Sequence, residues 1–235
     1  MKLGVNIDHI ATLRNARGGW EPDIVEAAKC ALKEDILALT MHLREDRRHI
    51  KDKDLYEVKK LGAKINLEMA ATPEIQKIAL DLVPHSVCLV PERRQEITTE
   101  GGLDVYSQKE YLKEYIKPLQ DKGILVSLFI DPDKKQVEAA SYVSADYIEM
   151  HTGAFSNAYI KGNYKEEFEK LKTSAAFAQS LGLKVNAGHG LNYQNVYLMK
   201  QIPNLCELNI GHSIISRAIF VGLNCAIKEM LELIK

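Results

Sequence analysis

The chain reads as a (β/α)8 barrel. Eight short runs of β-branched and apolar residues alternate with eight helical stretches, and 235 residues is a length that one such domain, spanning 1–235, would fill. Histidines also gather at one end of the runs. His9, His42, His49, His151, His189 and His212 stand at or just past the end of a run, while His85 precedes its own. The C-terminal ends of strands carry the chemistry in parallel barrels, and histidine changes charge nearest neutrality, so this shared address implies repeated proton transfer.

The strand-like runs fall at 2–8, 36–43, 64–69, 86–91, 124–131, 146–151, 184–187 and 207–211. The first feeds a polar loop with Thr12, Arg14 and Arg17 that reaches Gly18 and Gly19. The first helix, within 21–35, has Pro22 near its opening turn and sets Ile24, Ala27, Ala28, Ala31 and Leu32 on one face. Further helices are expected at 52–61, 72–82, 105–121, 133–143, 164–182, 191–201 and, as one C-terminal stretch, 213–234. Gly62, Gly123 and Gly182 fit the glycine that stops a helix before the next strand. Parallel strands with helical crossovers could stay open as a doubly wound sheet, but the count of eight favours closure, with room for extra short helices.

Composition excludes several classes. The net charge is −1, and the densest basic stretch, Arg44 to Arg48, is interrupted by Glu45 and Asp46, which argues against a nucleic-acid surface. No run approaches the roughly 18 apolar residues of a membrane helix, and the N-terminus reaches Asp8 too early for a secretory leader, so the cytoplasm is expected. Cys30, Cys88, Cys206 and Cys225 form no CxxC pair and read as buried reduced thiols.

The densest chemistry lies in HLREDRRHI, 42–50, where His42 ends a strand and Arg44 and His49 can present cationic donors to a phosphate or carboxylate. Glu68 follows Asn66 near the end of the third run, and desolvation in a barrel mouth would raise it toward a useful general base. Glu149 stands two residues before His151, so the two share a strand face, although alternation alone does not say which face looks inward. NAGHGLN, 186–192, and NIGHSIISRA, 209–218, end the last two strands, where this architecture often builds a phosphate site from backbone N–H groups and a helix N-terminus. Asn6, Asp8 and His9 suit polar hydroxyls. The 91–104 segment, with Thr98 and the Gly101-Gly102 pair, reads as a substrate loop. Asp8, His9, His42 and Glu68 are acceptable metal ligands, yet no HxH, HExxH or carboxylate triplet has ligand spacing, so no metal is expected. A metal-dependent barrel lyase or hydrolase and a phosphate-ligand sensor are the competing readings.

GVNIDHIATLRNARG, HLREDRRHI, NLEMA, LVPERRQEITTEGGLDV, SLFIDPD, IEMHTG, LKVNAGHGLNYQNV and ELNIGHSIISRA together resemble the pyridoxine 5′-phosphate synthase family, in order over nearly the whole chain. The resemblance implies a (β/α)8 enzyme of vitamin B6 biosynthesis. Such an enzyme condenses 1-deoxy-D-xylulose 5-phosphate with 3-amino-2-oxopropyl phosphate, releases phosphate and water, and uses neither metal nor redox cofactor. It implies that His42 and Glu68 accept protons, that His189 donates one and that Glu149 stabilises a transition state. Asp8, His9, Arg44, His49 and Thr98 would hold the deoxyxylulose phosphate; Asn6, Arg17, Gly190, Gly211 and His212 would hold the aminooxopropyl phosphate. A homo-octamer is implied as well. The chain departs from the family where Gly19-Trp20-Glu21-Pro22 stands in place of a tyrosine before the proline.

Overall fold

The computed structural model describes residues 1–92 and 101–235. Eight parallel strands close in chain order: β1 (Lys2–Asn6), β2 (Ala38–His42), β3 (Ile65–Met69), β4 (Ser86–Leu89), β5 (Leu125–Ile130), β6 (Tyr147–His151), β7 (Lys184–Gly188) and β8 (Leu205–Ile210), which pairs back onto β1. Closure settles the choice between barrel and open sheet. The crossovers are α1 (Asp8–Arg17), α2 (Ile24–Ala31), α3 (Asp52–Lys59), α4 (Pro73–Leu82), α5 (Val105–Asp121), α6 (Lys134–Tyr142), α7 (Gly153–Ile160), α8 (Lys165–Ser180), α9 (His212–Val221) and α10 (Leu223–Ile234).

Helix ends follow their capping chemistry. Asp23 accepts from the Val25 amide at 2.7 Å and Asp133 from Lys135 at 2.9 Å, while Pro73 opens α4. The three anticipated glycine stops all take the left-handed region, Gly182 with φ 84° being representative.

Four expectations need correction. The polar stretch after β1 is helical, because Asn6 Oδ1 accepts the Asp8 amide at 2.9 Å and opens α1, which runs to the left-handed Gly18. The 191–201 stretch forms only a 3-10 turn, Val196–Gln201. Asn192 and Asn195 spend their side chains on each other's backbone, which competes with helix initiation. The C-terminal stretch breaks at Gly222 into two helices, and α7, which buries Phe155, fills the room left for an extra short helix. Of the cysteines only Cys88 is buried; Cys225 is exposed, and all four are free thiols.

The barrel is apolar outside and polar inside. Leu3, Val5, Leu39, Met41, Ile65 and Leu67 face the helices and are fully buried. Their neighbours Thr40, Asn66, Ser127, Glu149, Asn186 and Asn209 point inward, where contacts cross between strands that are not neighbours. Thr40 Oγ1 on β2 donates to Asn209 Oδ1 on β8 at 2.9 Å, and Asn209 Nδ2 donates to Glu149 Oε2 on β6 at 2.6 Å. The strand between each pair carries a glycine at the crossing. A Cβ on Gly4 of β1 would fall on Asn209 Oδ1, and one on Gly188 of β7 would fall on Glu149 Oε1. These absent side chains leave the space in which the polar layer assembles.

Candidate active site

The inward face of β3 carries Asn66 and Glu68, and that of β6 carries Glu149 and His151, so both carboxylates belong to the barrel interior. The C-terminal ends of β1, β2 and β3 bring Asp8, His42 and Glu68 together. Asp8 Oδ1 accepts the His42 amide at 2.9 Å, and its Oδ2 accepts from Asn6 Nδ2 at 2.8 Å. His42 Nδ1 lies 3.8 Å from Glu68 Oε2, while Nε2 lies 2.8 Å from Glu92 Oε1. Burial, with the charges of Asp8 and Glu149, pushes the Glu68 carboxyl well above its ordinary range. Glu149 is pushed up to about 8 by burial and the Glu207 charge, against the hydrogen bonds from Asn209 and Cys88. Glu207, deeper in the barrel, rises to about 7 through burial. Near neutral pH the interior therefore stores protons on carboxyl groups.

His49 sits beside this cluster, its ring 5.7 Å from that of His42. The Ile50 amide donates to His49 Nδ1 at 3.0 Å, so a neutral ring carries its proton on Nε2 and offers a donor. Arg44 is almost fully buried, with Nε 3.5 Å from Asp46 Oδ1. Across the mouth the His9 and His212 rings lie tilted against each other at 5.0 Å, and His151 and His189 meet edge to face at 5.0 Å. Burial and the neighbouring ring hold His189 down at about 4 and His9 below its ordinary value. His189 is thus uncharged at neutral pH. Gly211 precedes α9, a Cβ there would lie 2.8 Å from Asn6 Cβ, and Ser213 Oγ ties the β8 loop to Leu191 O at 2.9 Å. Gly211 caps α9 without a side-chain hydrogen bond, so the first-turn amides of α9 open onto this corner. Gly190, with φ 81°, follows His189 on the rim.

Asp8, His42 and His49 are close enough to hold a metal ion. Much of this set is already committed, however: Asp8 accepts from Asn6 and His42, His42 Nε2 meets Glu92, and His49 Nδ1 takes the Ile50 amide, which leaves His42 Nδ1 as the uncommitted ring nitrogen of His42. The donor set fits a hydrogen-bonded network better than a coordination shell.

Most of the expected residues converge here. Arg17 does not: it is exposed in the last turn of α1, about 13 Å along the helix axis from Asp8. Thr98 lies outside the described residues. Residues that the sequence reading passed over are Glu92, Asp131, which receives His151 Nδ1 at 2.9 Å, and Asn209, which holds Glu149. Asn209 could have been found from its place on the same face as Glu207; Glu92 gave no local signal beyond following a strand.

Acid–base chemistry in a (β/α)8 barrel is the class that this constellation defines. Solved structures with the same fold include 3-hexulose-6-phosphate synthase, at TM-score 0.65 and 13% identity with 100% of both chains covered. A phosphoribosyl anthranilate isomerase from Thermus thermophilus matches at TM-score 0.57 and 12% identity, covering 99% of this chain and 100% of that one. Residues 3–235 match the family described as pyridoxal phosphate biosynthesis protein PdxJ, and the chain belongs to that family. Its relatives include proteins named pyridoxine 5′-phosphate synthase. That of Sulfurihydrogenibium sp. is 56% identical, covering 100% of this chain and 98% of the relative, and that of Geobacter sulfurreducens is 54% identical with the same coverage. The relative from Neisseria meningitidis is 54% identical, covering 99% and 96%.

Proposed function

We propose that the protein is a pyridoxine 5′-phosphate synthase, joining 1-deoxy-D-xylulose 5-phosphate to 3-amino-2-oxopropyl phosphate. The observation that carries this reading is the pairing of His42 with Glu68 between two anion-binding corners, in a chain 51–56% identical to full-length synthases. The substrate amine attacks the ketone of its partner, so the imine needs no enzyme lysine. Loss of phosphate, ring closure and loss of water each require a proton to be moved.

His42 and Glu68 accept and return those protons, and Glu149, neutral when empty, stabilises developing positive charge as it ionises. Asp8, His9, Arg44, His49 and Thr98 hold the deoxyxylulose phosphate. Asn6, Gly190, Gly211 and His212 hold the other substrate, with Arg17 on the outer end of α1. Phosphate binding beside His189 favours its protonated form, which turns a neutral ring into a proton donor. Two corners rich in donors favour two phosphorylated substrates over the sensor reading.

The protein is proposed to act in the cytoplasm as a homo-octamer. Among the described residues no helix is long and apolar enough to cross a membrane. Ile219 and Phe220, 74% and 82% exposed on α9, supply apolar surface that another copy would cover. The test of function is direct. Purified protein given both substrates releases inorganic phosphate and forms a pyridine chromophore; release of neither overturns the proposal.

A further inference from the structure

Glu92 lies three residues beyond β4, and its side chain is only 5% exposed. Both carboxylate oxygens have donors. Oε1 lies 2.8 Å from His42 Nε2, and Oε2 accepts the Glu45 amide at 3.0 Å. Burial pushes this carboxyl up, but the His42 bond, the Glu45 amide and the Arg44 charge outweigh it and hold the group below its ordinary value. An ionised carboxylate only accepts, so the proton in the 2.8 Å contact belongs to His42 Nε2. A neutral ring held in this way has its lone pair on Nδ1, the atom 3.8 Å from Glu68 Oε2. The ring's backbone is pinned separately, through its amide to Asp8.

We infer that Glu92 is a positioning residue for the reaction: it locks His42 in the tautomer whose Nδ1 can take a proton on the side where Glu68 stands. The logic is that of a carboxylate orienting a general-base histidine, assembled here from the end of one strand and the loop after another. Among the described residues, the charged and titratable groups around this ring are Asp8 from the start of α1, Glu68 from β3, His49 from the loop after β2 and Glu92 itself, with Arg44 acting on Glu92. Because Oε2 is tied to the Glu45 backbone, the carboxylate cannot swing away without breaking a second bond.

The kinetic consequence rests on the synthase reading, but the tautomer does not. In full-length protein labelled with 15N-histidine, long-range nitrogen–proton correlation reads each ring's tautomer, and His42 is assigned by the cross-peaks lost in His42→Gln. The wild type should show His42 protonated on Nε2, and Glu92→Ala should show both tautomers. In the synthase assay Glu92→Ala should lose about ten- to a hundredfold in kcat with each KM changed less than about twofold, and Glu92→Gln, whose amide oxygen still accepts, should recover part of the loss. His42 protonated on Nδ1 in the wild type would overturn the inference, as would a folded Glu92→Ala variant with wild-type kcat. If Glu92→Ala does not fold, the wild-type tautomer and the Glu92→Gln kinetics decide. A wild-type protein that makes no product defeats the synthase reading while leaving the tautomer result to decide the hold of Glu92 on His42.

Discussion

The two sides of the barrel mouth treat histidine in opposite ways. At the ends of β2, β3 and β4, His42 lies between two carboxyl groups, Glu68 and Glu92. At the ends of β7 and β8, His189 and His212 meet other histidines, and among the described residues the charged neighbour that shifts His189 is the ring of His151. A ring between carboxyl groups has somewhere to send a proton whether or not substrate is present. A ring set edge-on against another ring, held at about 4 in the case of His189, is uncharged at neutral pH. We propose that the contrast separates a side whose histidine exchanges protons with carboxyl groups from one whose histidines gain charge only when an anion binds.

The largest effect that can break this division is at Glu68. Glu68→Gln should lower kcat by about 10²–10⁴-fold while leaving phosphate affinity near wild type, measured by steady-state kinetics and calorimetry. An equal loss of affinity would place Glu68 on the binding side. Next is Gly188→Ala, whose Cβ would fall on the Glu149 carboxylate. It should destabilise the fold by about 1–3 kcal/mol in urea unfolding and displace Glu149, because overpacking in a filled interior has no cheap relief.

A smaller effect should appear in proton uptake. Titrating phosphate at pH 7 in two buffers of different ionisation enthalpy should reveal fewer protons taken up by His189→Gln than by wild type, since the depressed ring in the wild type charges on binding. Equal uptake would remove His189 from the anion site. Smaller again is a stability change with pH. The Glu149 carboxyl keeps its proton up to about 8 in the folded protein and loses it near 4.5 when unfolded, so folding stability from this group falls as pH rises through that window. Glu149→Gln should therefore raise Tm above pH 8, with the difference closing toward pH 5. The smallest effect is expected on folding at Arg17→Ala, within about 0.5 kcal/mol for an exposed side chain.

Much of the fold was legible because its determinants are local. Strand runs and the glycine stops need only neighbouring residues, and the histidines marked the active rim by standing at strand ends. What escaped depends on distance. A polar barrel interior makes buried faces look like solvent faces, so the inward direction of Glu149 becomes clear only when Asn209 meets it across Gly188, and that of Glu68 only in its approach to His42 Nδ1. Glu92 stands in the segment read as a substrate loop and Asp131 at the end of the fifth run, and their partners are 50 and 20 residues away. The helix α1 was hidden because its opening bond comes from Asn6, a residue that also reads as a strand end.

The division of the mouth is tested most directly by measuring turnover and phosphate affinity side by side for His42→Gln and His189→Gln. His42→Gln should lose turnover with affinity unchanged, and His189→Gln should lose both affinity and the proton taken up on binding. If the two variants lose turnover and affinity in the same proportion, the two sides do one job and the division is wrong.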